Sequence, residues 1–267
     1  DKVAGMGLFC LILFPLTVIP TLVAVPDKVA ERSEALGWQD MAGLLRSNPI
    51  LWRLLTADFT TSFAVSATAA LYIFFATYAF ELQNHASLAL LLYFVAGFLA
   101  MPAWLKLAYH MGKVGAIKLA MGYTMVLQSG LFFVTEPGNV VLFWSYTFLA
   151  GLAFGATPTL LHSMMADLTD IDELKTGQKR AGMYFALLAT INKLGGAVAV
   201  GVTLTAADKL FNFTPGAANS QAAIDGLLLI FCFAPAAALA LTYLPLFRYP
   251  LTKERHAEIR RSLSAEQ

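Results

Sequence analysis

The sequence predicts an all-α membrane protein with about seven transmembrane helices, and three observations support this fold class. Hydrophobic residues make up 58% of the 267 residues and charged residues 13%, about half the charged fraction usual in soluble domains. The apolar residues fall into runs of about 20, the length a helix needs to cross a bilayer core of about 30 Å. Alternation typical of membrane-spanning strands is absent, so helices are expected to satisfy the backbone groups.

Seven apolar runs define the predicted spans. They cover approximately Gly7–Val25, Leu51–Tyr78, Leu88–Leu105, Val114–Val134, Val140–Met165, Met183–Ala206 and Gly226–Phe247. The connection Pro26–Pro49 is longer and more polar than the others, and Val29–Leu45 within it has helical periodicity. Two readings of it stay open: an amphipathic cytoplasmic linker between two bundles, or a solvated loop without function. The predicted organisation is one helix (1–25), a linker (26–49), a six-helix bundle (50–248) and a cytoplasmic tail (249–267).

Positive charges predict the orientation of the spans. Lys and Arg concentrate in alternate connections, and the connections between those hold almost none apart from Lys209. The positive-inside rule places the basic connections in the cytoplasm, so Asp1 is expected outside and Gln267 inside. The basic residues that set this assignment are Lys28, Arg32, Arg46, Arg53, Lys106, Lys113, Lys118, Lys175, Lys179, Arg180, Arg248, Lys253, Arg255, Arg260 and Arg261.

Several function classes are not supported by the sequence. The net charge is +1 and no large basic block occurs, so no nucleic-acid partner is expected. Both cysteines, Cys10 and Cys232, lie inside apolar runs without CxxC spacing, so neither a metal site nor a disulfide is expected. The four histidines are scattered, HExxH is absent, and no acidic pair occupies facing spans, so we expect no enzyme and no cofactor.

The fifth connection carries the most specific motif. It reads Ala166-Asp167, then Asp170, then Thr176-Gly177. This resembles the A-D-x-x-D-x-x-x-x-x-T-G signature of the glycoside–pentoside–hexuronide:cation symporter family, the melibiose-carrier-like group of the major facilitator superfamily. The stretches 181–185 and 192–196 also resemble that family's eleventh helix, and 48–55 resembles the start of its seventh.

The resemblance implies that the spans are helices six to twelve of a major facilitator fold. On this reading, residues 1–25 form the last helix of an N-terminal bundle whose first five helices are missing. Two further observations favour a truncated chain: the first residue is Asp1 rather than Met, and the N-terminus is predicted outside, where complete members of this fold begin inside.

The resemblance further implies a secondary active transporter in a bacterial inner membrane. The expected activity is cation-coupled symport of a sugar or related small solute by alternating access, with Na⁺ or H⁺ bound mainly by the missing half. The expected partners are the solute, the coupling cation, the lipid bilayer and that half. A lipid or amphipathic solute, and a non-transporting receptor or scaffold, stay open as alternatives. Pro158 occupies the position of the family's sugar-stacking Trp, so galactoside specificity is not carried over.

Lys193 is the first candidate site residue. It lies ten residues after Met183, about 15 Å into its span and near the membrane midplane. A cation at this depth costs a few kcal/mol or more unless it is paired or hydrated. Two readings stay open: a structural lysine paired with a carboxylate, or the coupling role that the resemblance implies from the family's helix-eleven lysine. Asn192 and Thr190 join it in the predicted substrate and coupling site.

Asp58 is the only carboxylate well within a predicted span. It lies about 10 Å past Leu51, and Thr61 and Ser62 follow on the same helical face. Three roles stay open for it: a partner for Lys193, a polar group that lines a cavity, or an interfacial residue near the cytoplasmic gate.

Charges in the fifth connection form a candidate gating loop. In an alternating-access protein such charges can form ion pairs that hold one gate shut, and a solvated charge run is the alternative. The residues of this predicted gating loop are Asp167, Asp170, Asp172, Lys175 and Arg180, together with Glu173 and Lys179.

Five residues inside the spans have simpler expected roles. His162 can relay protons, although hydrogen-bonded packing is favoured. Gly151, Gly155, Gly195 and Gly196 suit close helix approach or bending rather than nucleotide binding, because no strand precedes them.

The orientation is testable with single cysteines in a chain that lacks Cys10 and Cys232. A membrane-impermeant maleimide should label a cysteine at Asn84 in intact cells but reach one at Thr176 only after permeabilisation. This follows from the charge asymmetry of the connections. The opposite labelling pattern would overturn the topology.

Overall fold

The computed structural model describes residues 2–24, 43–46, 48–247 and 249, and these residues contain no β-strand. The predicted linker and cytoplasmic tail fall mostly outside the described residues. Seven described helical stretches are long and apolar enough to cross a membrane, which confirms the predicted number of spans. The helices are α1 (Lys2–Ala24), α2 (Pro49–Phe74, continued by a π-helical turn at Phe75–Ala79), α3 (Gln83–Met111), α4 (Lys113–Val134), α5 (Val140–Ala153), α6 (Ala156–Thr176), α7 (Ala181–Phe211) and α8 (Gln221–Leu246).

The chain divides into two compact units, Asp1–Asp40 and Met41–Gln267. The described part of the first unit is α1, whose threonine hydroxyls fold back onto carbonyls of the preceding turn: Thr17 donates to Leu13 and Thr21 to Thr17. This satisfies the hydroxyls within the helix, as an apolar surrounding requires. The second unit holds the six spans from α2 to α8.

The helix α2 is the central element of the bundle, and its main packing partners are α7 and α8. Its start is fixed by Asn48, whose side-chain oxygen accepts hydrogen bonds from the backbone N–H groups of Ile50 and Leu51. Apolar packing is concentrated at both ends of α2. Near its start, Leu51 and Leu54 are buried in one cluster, and near its end Phe75 stacks on Phe231 of α8 with ring centroids 4.0 Å apart.

The fifth span differs from its prediction in two ways. It was expected to run unbroken through 140–165, but α5 ends at Ala153 and α6 begins at Ala156. Gly155 between them has a φ of 77°, a left-handed conformation that glycine adopts without the steric cost of a Cβ atom. Pro158 lies in the first turn of α6, where no intrahelical donor is needed. Of the two roles left open for Gly155, close helix approach or bending, the structure supports bending.

The second difference concerns the candidate gating loop. The segment 166–176 is helical, because α6 continues to Thr176, and only residues 177–180 connect it to α7. Gly177 ends the helix in a left-handed conformation, and its N–H donates to the carbonyl of Glu173. The prediction of a loop was wrong because polar charged residues are compatible with a helix that extends beyond the apolar span.

A buried polar contact links α4, α5 and α8. Pro235 lies inside α8 and has no N–H, so the carbonyl of Phe231 lacks its intrahelical donor. The Gln128 side chain of α4 donates to that carbonyl over 2.7 Å, and the Tyr146 hydroxyl of α5 donates to the Gln128 side-chain oxygen over 2.8 Å. A glutamine thus supplies the donor that the proline removed.

Replacing this glutamine should destabilise the bundle. Gln128→Leu leaves the Phe231 carbonyl buried without a donor, and we expect the free energy of unfolding to fall by about 1–3 kcal/mol. The measurement is the thermal unfolding midpoint in detergent, followed by tryptophan fluorescence.

Two proline variants supply the control. Pro235→Ala restores a backbone donor to Phe231 and should recover part of the loss in the Gln128→Leu chain, whereas Pro245→Ala should recover none. Equal rescue by both, or an unchanged midpoint for Gln128→Leu, would contradict this account.

Candidate substrate and coupling site

The site is built on the close crossing of α2 and α7. Gly195 and Gly196 face α2: a Cβ atom on Gly195 would lie 2.6 Å from the Phe59 carbonyl oxygen, and one on Gly196 would lie 3.0 Å from Ser66 Oγ. Small residues let the backbones of two membrane helices approach each other closely. The Ser62 hydroxyl uses this proximity to donate to the Asn192 carbonyl over 2.6 Å. The close approach predicted for these two glycines is confirmed.

Asp58 is buried at this crossing, with a relative exposure of 1%. The Asn192 side chain of α7 interacts with it, and His162 of α6 is close enough to interact electrostatically. One carboxylate oxygen, Oδ2, has no hydrogen-bond partner within the described residues. The structure therefore brings Asp58 together with Asn192, as two members of the predicted site.

Lys193 lies on a different face of α7. It follows Asn192 by one residue, a rotation of about 100° around the helix, and its side chain is exposed on the surface of the bundle. It lies twelve residues after Ala181, about 18 Å from the predicted cytoplasmic end of a 31-residue helix. In the described part of the chain Lys193 has no hydrogen-bond or ion-pair partner. The pairing of Lys193 with Asp58, left open by the sequence, is therefore absent from the structure.

The surface around Lys193 is formed by small residues. Thr190 lies one turn before Lys193 and is exposed, with its hydroxyl folded onto the Ala186 carbonyl over 2.8 Å. Ala197 and Gly201, one and two turns after Lys193, are exposed as well. Such side chains leave free space beside the ammonium group at mid-depth.

His162 borders the same region from α6. Its Nδ1 lies 2.9 Å from the Pro158 carbonyl, and its ring stacks on Phe185 with centroids 6.3 Å apart. These contacts match the packing role favoured from the sequence. The electrostatic contact with Asp58 adds an interaction that the sequence did not show.

The candidate gating residues form two ion pairs at the predicted cytoplasmic side. Arg180 donates from Nε and Nη2 to the two carboxylate oxygens of Asp172, over 3.0 and 2.8 Å. Asp167 pairs instead with Lys113 at the start of α4, which also donates to the Ser163 carbonyl. The pairs therefore connect α6 to α7 and α6 to α4. Asp170 and Glu173 lie partly buried on α6, and Lys175 and Lys179 are exposed near its end.

Sequence reasoning missed the two distant partners in this network. Lys113 pairs with a carboxylate 54 residues away, and Asn48 donates to the Tyr184 hydroxyl over 3.3 Å across 136 residues. Tyr184 in turn lies against Asp172 and Arg180. No local pattern marks such pairs, although the placement of all these residues at the predicted cytoplasmic helix ends is a signal that could have suggested them.

Helical spans with an ionisable residue at mid-depth and ion pairs at one end are typical of secondary transporters. The chain belongs to the MFS/sugar transport protein family, whose model matches residues 1–253. It is a multi-pass integral membrane protein, and its bacterial relatives place it in the bacterial plasma membrane.

Relatives support the family and its transporter class. The chain is 32% identical to an uncharacterized symporter of Synechocystis over 61% of this chain and 31% of the relative. It is 26% identical to the uncharacterized symporter YjmB of Bacillus subtilis (77% and 45%) and 22% identical to the human sodium-dependent lysophosphatidylcholine symporter 1 (88% and 44%). The chain spans less than half the length of each. Transporters of this kind are not enzymes, as the sequence predicted.

The Asp172–Arg180 pair should stabilise the join between α6 and α7. Its side chains are only 11% and 16% exposed, so Arg180→Gln leaves a largely buried carboxylate without its two donors. We expect the free energy of unfolding to fall by about 1.5–3 kcal/mol, measured as a lower midpoint in detergent.

Lys175→Gln is the matched control, because Lys175 is exposed in the last turn of α6 and should change the free energy by less than about 0.5 kcal/mol. Equal midpoints for the two variants would show that the ion pair contributes nothing.

Proposed function

We propose that this bundle is one half of a cation-coupled symporter for a sugar or a related small polar solute. The observation that carries the proposal is Lys193, an ammonium group exposed at mid-depth on a face of small residues. The family description and the two bacterial symporters support the transporter class, and the family description supports a sugar as cargo.

The position of Lys193 favours a solute path over contact with lipid. An ammonium group that faces hydrocarbon costs a few kcal/mol or more, and this one has no ion-pair partner in the described part of the chain. The cost falls if the face lines a hydrated path between this bundle and a second one. The family fold provides such a partner in its N-terminal half, and solutes bind near the midplane between the two halves.

Coupling is proposed to arise from linked binding of solute and cation. The cation, Na⁺ or H⁺, binds mainly to the second bundle. Solute and cation each bind more tightly to the conformation that the other stabilises. Na⁺ is supported by the name of the human relative, a sodium-dependent symporter. In this bundle, the charge of Lys193 links the binding of the solute to the binding of the cation.

The ion pairs of α6 are proposed to act at the cytoplasmic gate. Both pairs lie within this bundle, so their role is to keep the cytoplasmic ends of α4, α6 and α7 together as the bundle rocks. Of the predicted gating residues, Asp167, Asp172 and Arg180 carry this role.

A lipid or amphipathic solute is the second candidate cargo. Three relatives are named lysophosphatidylcholine symporters and one is named a sphingosine-1-phosphate transporter. Pro158 in place of an aromatic platform also removes the side chain on which a sugar ring would stack. Uptake assays with a panel of labelled sugars and a labelled lysolipid separate the two cargos, and a receptor or scaffold would take up neither.

The test of the proposed function is uptake by a transporter in which this bundle works with its N-terminal partner. Lys193→Ala should reduce gradient-driven uptake to background while membrane insertion stays intact, because the linking charge is lost. Lys193→Arg should restore little, since a planar guanidinium does not replace a compact ammonium among small residues.

The matched control is Lys209→Ala, which lies on the same helix but is exposed beside Asp208 near its outer end. It should leave uptake unchanged. A purely structural Lys193 would instead lower expression and uptake together, and normal uptake by Lys193→Ala would end the proposal.

A further inference from the structure

Two buried polar atoms on one turn of α2 have no hydrogen-bond partner among the residues that the structure describes. They are Oδ2 of Asp58 and Oγ1 of Thr61, in side chains that are 1% and 3% exposed. The described residues hold only one other such atom, the hydroxyl oxygen of Tyr249 near the end of the chain. Leaving a buried polar atom without a partner is energetically costly, so two such atoms on one helical face indicate a ligand that satisfies both.

The Thr61 hydroxyl departs from the pattern of its neighbours. Threonines elsewhere in these helices fold the hydroxyl back onto the carbonyl four residues earlier, among them Thr60, Thr68, Thr190 and Thr203. Thr61 makes no such bond. Its oxygen therefore keeps its lone pairs available on the face of α2 that carries Asp58.

The groups around these atoms supply further oxygens and a single negative charge. The Asn192 side chain meets Asp58 from α7, and the Ser62 hydroxyl donates to the Asn192 carbonyl on the same side. No Lys or Arg pairs with Asp58 in the described residues, and the other titratable side chain near it is His162. One carboxylate with neutral oxygen ligands matches the charge of a monovalent cation.

A metal ion explains the two free oxygens better than a shared proton. A proton held between them would join them by a hydrogen bond, and no hydrogen bond joins them. An ion with oxygen ligands at about 2.4 Å can bridge two oxygens that are too far apart to bond directly. Hard cations of this size prefer carboxylate, hydroxyl and carbonyl oxygens.

We propose that Asp58, Thr61 and Asn192 form a Na⁺ site at the crossing of α2 and α7. The site goes beyond the proposed function, which assigns the coupling cation mainly to the second bundle. Its occupancy is measured as binding, without solute or gradient, so a failure of transport and a failure of this site give different results.

The experiment is a Na⁺ titration of the purified protein in detergent. NaCl replaces N-methylglucamine chloride at constant ionic strength, and the thermal unfolding midpoint is recorded, because a ligand of the folded state raises it. The midpoint should rise and saturate with Na⁺. Asp58→Asn should remove the rise. Thr61→Val should raise the Na⁺ concentration that gives half of the maximal rise by about tenfold or more.

Thr68→Val is the matched control, two turns along the same face with its hydroxyl satisfied within the helix, and it should titrate like the unaltered protein. Thr61→Val keeps the test decisive if Asp58→Asn does not fold. No response to Na⁺, an equal response to KCl, or an unchanged response in Thr61→Val would each overturn the site. A midpoint that follows pH but not Na⁺ would assign the carboxylate to a proton instead.

Discussion

The backbone contact between α2 and α7 is the constraint on which the candidate site depends. Gly195 leaves the Phe59 carbonyl within 2.6 Å of where a Cβ atom would lie, and any larger residue would force the helices apart. Separation would break the bond from Ser62 to the Asn192 carbonyl and admit lipid or water beside Asp58. The burial of the carboxylate and its contact with Asn192 therefore follow from the absence of a side chain at a single position.

A second constraint shapes the rest of the bundle: a polar group in an apolar surrounding must find its partner within the protein. The Gln128 side chain is the hydrogen-bond partner of the carbonyl that Pro235 leaves free. The threonine hydroxyls find their partners in carbonyls of their own helices. Satisfied groups of this kind stabilise the bundle. The oxygens of Asp58 and Thr61 without a partner are exceptions, because most comparable polar groups in the described residues are hydrogen-bonded. We therefore attribute them to a bound ligand.

Much of the architecture could be predicted from the sequence, because span length and glycine placement are local properties. Seven spans and the close approach at Gly195 and Gly196 were predicted, and so was bending at Gly155. That Gly155 divides this span into α5 and α6 was not predicted, because glycine permits a left-handed conformation without requiring it. In the site, Asp58 and Asn192 were both among the predicted residues, but their interaction was not predicted, because which side of α7 meets α2 depends on packing between distant segments.

The offset between Asn192 and Lys193 lets α7 link the two proposed sites. Adjacent residues of a helix point about 100° apart, so Asn192 reaches the buried carboxylate while Lys193 reaches the open face. A cation held by Asp58 and Asn192 would fix the rotation of α7 about its axis, and that rotation sets where the ammonium group lies in the solute path. Solute contact with Lys193 would fix the same rotation from the other side. Each ligand would then favour binding of the other through one rigid helix, without direct contact between them, which is the reciprocity that coupled transport requires.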